Sequence, residues 1–167
     1  MVLLTEPAQR DGIKDLPWPY EGICLIQYVD CRDEEGLYHK IRVMMVDGVP
    51  YARQCIYSDQ WVIHAGSRSD LMDTDIDLCH REERILSELR DGGLRAREQI
   101  FQEIYQRIGL DVFGIDFALV NGKMVVFEAN ACMHFLGRDD RTNPRYAYAG
   151  IYKKELRIAL KKMLVKA

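Results

Sequence analysis

One stretch, from Gly114 to Asn130 (GIDFALVNGKMVVFEAN), constrains the fold more than any other part of the chain. Two runs rich in β-branched and aromatic residues flank Asn121-Gly122. An Asn-Gly pair between such runs is the strongest local signal for a β-hairpin. The sequence therefore predicts an antiparallel strand pair, and the polar side chains within it need a separate explanation.

Three polar side chains interrupt these apolar strands: Asp116 in the first, and Glu128 and Asn130 at the end of the second. Ionised carboxylates are rare among apolar side chains unless a cation compensates them. Glu128 and Asn130 are two residues apart, so a strand points both to one face. Three oxygen donors on one face would suit a hard divalent cation, and Mg²⁺ that also holds nucleotide phosphates is the commonest case.

The register of the hairpin decides whether Asp116 joins the other two side chains. A two-residue loop at Asn121-Gly122 sets Asp116 opposite Phe127 and turns Glu128 to the other face. A three-residue loop that includes Lys123 and contains a bulge sets Asp116 opposite Glu128 instead. The metal hypothesis therefore requires a bulge or an odd loop, and the alternative is an edge hairpin with Asp116 facing solvent.

The segment from Gly109 to Met133 resembles the metal-binding end of the ATP-grasp superfamily, which includes D-alanine–D-alanine ligases and other carboxylate–amine ligases. In that pattern an Asp in a strand and a Glu-x-Asn closing the next strand bind Mg²⁺. The resemblance places these ligands at Asp116, Glu128 and Asn130. Phe127 falls where the superfamily packs an apolar side chain against adenine.

A second block, from Tyr38 to His64, resembles the strands that precede this hairpin in the superfamily. Its residues predict strands from His39 to Val46 and from Val49 to Tyr57, joined at Asp47-Gly48. A further short strand is predicted from Trp61 to Ala65. The two blocks together cover well over half of the chain.

Lys40 and Arg42 share one face of the first of these strands, opposite Ile41 and Val43. A strand with one solvated face explains this pattern without any function. The resemblance implies instead that the cationic row meets triphosphate across a cleft from the acidic hairpin. Arg42 would then be the phosphate contact and catalytic residue, with Arg53 as a second contact.

The resemblance also implies an adenine-binding hinge in the segment from Gly22 to Asp30, which is a candidate buried strand. In the superfamily the backbone of this hinge reads the adenine edge. The implied main-chain contacts come from Tyr28, Val29 and Asp30.

The sequence departs from the superfamily in two places. Gly114 stands where the peptide ligases carry an Arg that steadies the oxyanion, and the start of the chain lacks the phosphate-contacting lysines and glycine-rich flap of an earlier subdomain. We therefore expect an N-terminal extension over residues 1–20, as a remnant of the missing subdomain, and an ATP-grasp C-terminal subdomain over residues 21–167. The resemblance implies that Arg138 or Arg141 would hold a substrate carboxylate, whereas the charged residues of this loop by themselves favour mutual pairing at the surface.

Apolar periodicity predicts three helices, which run from a cap within residues 73–75 to about Arg90, from about Leu94 to Ile108, and from Ile151 to Val165. The charged run of residues 80–84 fits the solvated face of the first helix, and the lysines of the third, including Lys153, fit its own. The expected fold is α+β, with a mostly antiparallel sheet built from two hairpins, two helices packed on one face and the C-terminal helix at the edge.

The composition narrows the function class. With 167 residues, of which 48% are hydrophobic, the chain is long enough for one domain with its own core. A net charge of −3 gives no sign of a nucleic-acid surface, and five scattered cysteines fit a reducing compartment. No apolar run approaches the length that spans a bilayer. We expect a cytoplasmic protein with no nucleic-acid partner and no membrane partner.

The resemblance implies a Mg²⁺-dependent ATP-binding domain of a carboxylate–amine or carboxylate–thiol ligase that acts through an acyl phosphate and is incomplete in this chain. The expected cofactors are ATP and Mg²⁺, and the expected partners are a nucleotide and a small carboxylate substrate, with a homodimer as a further candidate. One alternative is a non-catalytic ATP-grasp remnant that serves as a binding or dimerisation module. Another is an unrelated α+β protein whose acidic residues lie at the surface.

Overall fold

The computed structural model describes residues 26–64, 66–134, 136 and 143–166. The chain divides into two units, Met1–Asp30 and Cys31–Ala167. In the first unit, the described residues 26–30 are exposed and form no strand, so the predicted buried strand is wrong over this part. The rest of that predicted strand and the predicted N-terminal extension lie outside the described residues.

Four antiparallel strands form the sheet of the second unit, in the spatial order β2-β1-β3-β4. The strands are β1 (Tyr38–Val46), β2 (Val49–Ser58), β3 (Val112–Val120) and β4 (Lys123–Asn130). Two hairpins, β1–β2 and β3–β4, are joined where β1 pairs with β3. The prediction of an antiparallel sheet built from two hairpins is confirmed.

Both hairpin turns contain two residues with positive φ. Asp47 and Gly48 have φ values of 51° and 76°, and Asn121 and Gly122 have values of 51° and 75°. A type I′ turn requires positive φ at both central residues, and its twist matches that of the flanking strands. The local sequence therefore determines both turns.

Alternation along the strands gives the sheet two faces. Ile41 and Phe117 belong to the larger hydrophobic core, whereas Met44 belongs to a second, smaller core. Since neighbouring residues of a strand point to opposite faces, Lys40 and Arg42 lie on the same face as Met44. We call this the second face of the sheet.

Three helices pack against the sheet: α1 (Ile76–Glu88), α2 (Glu98–Ile108) and α3 (Ala149–Lys166). Helices α1 and α2 contribute buried side chains to the larger core. Helix α3 contacts β2 and β1, and its Leu156 and Ala159 pack with Met44 in the second core. The α+β class is confirmed, and the C-terminal helix covers part of the second face as well as the edge strand β2.

The ends of α1 and α2 follow local signals. The carboxylate of Asp75 accepts a hydrogen bond from the backbone N–H of Asp77 at 2.9 Å, so this residue caps α1 as predicted. Gly109 ends α2 with a φ of 66°. Shorter helical turns lie at Arg68–Met72, Leu89–Gly93, Arg95–Arg97 and Pro144–Tyr146. Among the described residues, no helix is both long and apolar enough to cross a membrane.

Three predictions about individual segments and residues are wrong. No strand forms over the described part of Trp61–Ala65. Glu82 and Lys153 are buried, although both were predicted on solvated helix faces. For Glu82 the reason is a set of buried partners, because its carboxylate accepts two hydrogen bonds of 2.6 Å from Arg68 and one of 2.8 Å from the backbone N–H of Cys55.

Candidate functional site

A β-bulge in β4 brings Asp116 and Glu128 opposite each other. The β3–β4 pairing runs regularly from the turn to Phe117 opposite Val126. Phe127 is then passed over, and the next pair is Asp116 with Glu128. The metal hypothesis required a bulge or an odd loop, and the structure combines a two-residue turn with a bulge at Phe127.

Asp116, Glu128 and Asn130 therefore lie on one face of the sheet. Asn130 pairs with Gly114, which is two residues before Asp116 and shares its side of the strand. The Nδ2 of Asn130 donates a hydrogen bond to the Oε1 of Glu128 at 2.7 Å, and its Oδ1 accepts one from the N–H of Cys132 at 2.7 Å. The structure brings the three predicted metal ligands together.

Arg42 neutralises Asp116 from the neighbouring strand. The two residues pair directly, and the guanidinium donates from Nε to Oδ1 at 2.7 Å and from Nη2 to Oδ2 at 2.8 Å. Its Nη1 donates to the carbonyl of His134 at 3.2 Å. The hydrogen bonds to Asp116 raise the pKa of Arg42, against the opposing effect of its partial burial. Arg42 is thus the direct counter-ion of the buried carboxylate.

Lys40 supplies a second cation. Its Nζ lies 3.4 Å from the Oδ2 of Asp116 and donates to the carbonyl of Ile63 at 2.7 Å. Asp116 is only 1% exposed, and a buried carboxylate without a counter-charge would be strongly disfavoured. The two cations therefore explain how an Asp sits in an apolar strand. The sequence could not indicate the carbonyls of Ile63 and His134, because a backbone acceptor leaves no trace in residue identity.

The positions of the cations differ from the predicted arrangement in one respect. Arg42 lies beside Asp116 in the adjacent strand, and not across a cleft from the acidic hairpin. A second bulge lies on the other side of Arg42, where Arg53 of β2 is passed over next to the pair formed by Gln54 and Arg42. Arg53 is buried, and its role as a phosphate contact stays a prediction.

Gly114 lies where the superfamily resemblance would place an Arg. A Cβ built on Gly114 would overlap the Sδ of Met133 and lie 3.1 Å from the Sδ of Met44. Two methionines thus fill the space beside the backbone here, and a longer side chain would require Met133 to move. The packing of the sheet thus favours glycine at this position.

The remaining residues that were predicted to contact adenine or substrate differ in where they lie. Phe127, the predicted adenine contact, is 47% exposed at the bulge. Arg138 and Arg141 lie outside the described residues. Three predicted backbone contacts to adenine belong to the first unit and are exposed there: Tyr28, Val29 and Asp30.

We call Lys40, Arg42, Asp116, Glu128 and Asn130 the polar cluster. Its potential ligands for a metal are two carboxylates and an amide oxygen, which are the donors that Mg²⁺ takes in proteins. Over the described ranges, no group of three or more His, Cys, Asp or Glu side chains is placed to hold a metal ion. The donor chemistry fits Mg²⁺, but Arg42 must release Asp116 before that carboxylate can bind a metal.

No protein-family model matches the sequence, and neither a curated protein nor a solved structure matches it.

Proposed function

We propose that the polar cluster binds a Mg²⁺–nucleotide and that the chain is the Mg²⁺-binding half of an ATP-grasp carboxylate–amine or carboxylate–thiol ligase. The observation that supports this best is the bulge at Phe127, which sets Asp116 opposite Glu128 and on the same face as Asn130. A bulge interrupts the hydrogen-bond ladder, and such features are common beside functional sites because they redirect side chains.

In this proposal each part of the polar cluster has a role. Asp116, Glu128 and Asn130 hold Mg²⁺, which when bound screens the phosphate charges. Lys40 and Arg42 supply positive charge on the same face, where phosphate oxygens would be bound. A substrate carboxylate would attack the terminal phosphate, and an amine or thiol would then attack the acyl phosphate.

Further properties belong to the same proposal. The substrate is a small carboxylate, the cofactors are ATP and Mg²⁺, and the location is cytoplasmic. We expect ligase activity only together with a phosphate-binding subdomain of the kind that the resemblance implies, whereas binding of Mg²⁺–nucleotide is expected of this chain itself. Binding is therefore the property to test first.

Isothermal titration of Mg²⁺–ADP into the purified chain tests the proposal. We expect saturable binding, which Glu128→Gln weakens by about tenfold or more because it removes one charged ligand, equivalent to about 1.4 kcal/mol or more. Glu128 is exposed, so this change leaves the buried Arg42–Asp116 pair in place. Glu34→Gln is the matched control, since Glu34 is an exposed glutamate before β1. An absence of binding, or equal affinity in the Glu128→Gln variant, would overturn the proposal.

One observation favours the alternative of a non-catalytic dimerisation module. Strand β4 is at the edge of the sheet, and it exposes 44% of Val126 beside the exposed Phe127. Folded proteins usually protect such an edge with charged residues, a bulge or a covering segment, and β4 has a bulge but leaves these two apolar side chains exposed. Sedimentation velocity would support this candidate if the chain is a dimer that Val126→Lys converts to a monomer, and a monomeric wild-type chain would contradict it.

A further inference from the structure

The charges of the polar cluster cancel before any ligand is bound. Lys40 and Arg42 carry two positive charges, and Asp116 and Glu128 carry two negative ones. A divalent cation that binds Asp116 must displace Arg42, because the guanidinium already donates to both carboxylate oxygens. The cluster would then hold two excess positive charges, with Arg42 left without its partner, and such a charge is costly to leave uncompensated at a partly buried site.

Arg42 is placed so that it can exchange its partner. Its side chain is 16% exposed, in contrast to that of Asp116, which is almost fully buried. A guanidinium binds the oxygens of a phosphate with the same two-pronged geometry that it uses for a carboxylate. Lys40 is as exposed, at 17%, and each of the two cations also donates to a backbone carbonyl. Lys40, however, approaches only the Oδ2 of Asp116, at 3.4 Å, so Arg42 is the cation that a metal at Asp116 must displace.

We propose that the polar cluster binds a metal–polyanion complex as one ligand and takes up a bare divalent cation poorly, because Arg42 moves from Asp116 to the anion when the metal binds. The anion must carry at least two negative charges to balance the cation, as pyrophosphate and the terminal phosphates of a nucleotide do. This inference rests on the proposed function. It adds that the metal and the anion bind together, and it makes Arg42 an exchangeable counter-ion in place of a fixed phosphate contact.

The exchange predicts that Arg42→Gln has opposite effects on two ligands. Without the guanidinium, Asp116 keeps only Lys40 as a cation, so a bare divalent cation should bind more tightly. A metal–pyrophosphate complex should bind more weakly, because the anion loses the cation that receives it. A merely structural role for Arg42 would change both affinities in the same direction or leave both unchanged.

Isothermal titration of the full chain with MnCl₂ alone, and with preformed Mn²⁺–pyrophosphate, measures both effects. For Arg42→Gln we expect about tenfold tighter binding of Mn²⁺ and about tenfold weaker binding of the complex, relative to the wild type. Arg97→Gln is the matched control, because it also removes one positive charge. The Nη1 of Arg97 donates to the carbonyl of Gly93 at 2.9 Å, outside the polar cluster, so this variant should bind both ligands as the wild type does.

Equal Mn²⁺ affinity in the wild type and Arg42→Gln, or changes of the same sign for both ligands, would overturn the inference. If the wild type nevertheless binds Mg²⁺–ADP, the proposed function stands and only the inference fails. If Arg42→Gln changes the two affinities in opposite directions but the wild type does not bind Mg²⁺–ADP, the inference is upheld and a nucleotide is rejected as the ligand. If neither protein binds Mn²⁺ or Mn²⁺–pyrophosphate, the inference fails, and the proposed function fails with it when the wild type does not bind Mg²⁺–ADP either.

A second variant covers the case in which Arg42→Gln does not fold. Arg42→Lys keeps the positive charge but loses the two-pronged contact with Asp116. We expect it to bind Mn²⁺ about threefold more tightly and Mn²⁺–pyrophosphate about threefold more weakly than the wild type. Unchanged affinities in this variant would also overturn the inference.

Discussion

His39 is buried in the sheet, and its two ring nitrogens lie in different environments. Nε2 accepts a hydrogen bond from the backbone N–H of Leu119 at 3.2 Å, so this nitrogen carries no proton. The imidazole therefore acts as the acceptor for Leu119, next to the point where the β1–β3 pairing ends. Nδ1 has no hydrogen-bond partner among the described residues. Burial lowers the pKa of His39, with Asp33 opposing that effect and Arg81 adding to it.

This lowered pKa makes the stability of the fold depend on pH. In the unfolded chain His39 takes up a proton near its ordinary pKa of about 6.5, whereas the folded protein resists protonation until a lower pH. The contribution of His39 to stability is therefore fully present above about pH 6.5 and decreases as the pH falls below that value. Urea unfolding between pH 7.5 and 5.5 measures the loss.

The matched variant for this prediction is His39→Gln, which keeps an acceptor for the N–H of Leu119 but cannot be protonated. We expect the decrease in unfolding free energy toward acid pH to be smaller in His39→Gln than in the wild type. The same pH dependence in both proteins would show that His39 does not cause it.

Only part of the polar cluster can be predicted from the sequence. Asp116 in an apolar strand indicates that a cation must compensate it, and the resemblance separately predicts Arg42 as a phosphate contact. The sequence could not show that these two residues bind each other, since they are 74 positions apart and meet only through the pairing of β1 with β3. Contacts of this kind depend on the tertiary arrangement of two hairpins, each of which is predictable on its own.

At the scale of the hairpin, the turn was predictable and the bulge position was not. Asn121-Gly122 forms the two-residue turn that an Asn-Gly pair favours. The three-residue loop that was considered for bringing Asp116 opposite Glu128 does not form, because the extra residue is accommodated at Phe127. Phe127 carries no turn signal, so the position of the bulge depends on the pairing of the whole sheet.

Two glycine substitutions test the role of the turn. In the described part of the structure, open space surrounds the position of an added Cβ at both Gly122 and Gly150, so steric overlap plays no part in either change. Gly122 has a φ of 75°, and Gly122→Ala should destabilise the fold by about 1 kcal/mol. Gly150 lies in α3, where Gly150→Ala should stabilise by about 0.5 kcal/mol. Urea midpoints that shift in the same direction for both variants would contradict this account of the turn.

The error at Trp61–Ala65 has a physical cause. Apolar composition predicted a strand, but Ile63 packs against the larger core without belonging to the sheet. Its carbonyl accepts a hydrogen bond from the Nζ of Lys40 in place of a neighbouring strand. An apolar run can therefore pack against the core without strand pairing when a side chain donates to one of its backbone carbonyls.

For the molecule as a whole, Glu82 connects segments that are far apart in the sequence. From its position in α1, its carboxylate accepts hydrogen bonds from Arg68, from the backbone N–H of Cys55 in β2, and from the hydroxyl of Tyr148 just before α3. Burial and this carboxylate raise the pKa of Tyr148, so its hydroxyl stays a hydrogen-bond donor. The sequence placed Glu82 on a solvated helix face, because none of these partners lies within the same helix.

Two neighbouring glutamates test this connection. Glu82→Gln leaves the guanidinium of Arg68 without its buried counter-charge and should lower the unfolding free energy by about 3 kcal/mol. Glu83→Gln changes an exposed residue of the same helix and should alter stability by less than about 0.5 kcal/mol. Thermal and urea unfolding of the two variants measure the difference. Equal unfolding free energies in the two variants would mean that the buried carboxylate of Glu82 contributes no more to stability than the exposed carboxylate of Glu83.

Paramagnetic line broadening of backbone amide signals by Mn²⁺–pyrophosphate tests most directly whether the polar cluster is the ligand site. If it is, the amide signals of Arg42, Asp116, Glu128 and Asn130 should lose intensity first and together, because the bulge at Phe127 holds them on one face of the sheet. Broadening that is strongest at another acidic segment, such as Asp33–Glu35, or no broadening at all, would contradict the account.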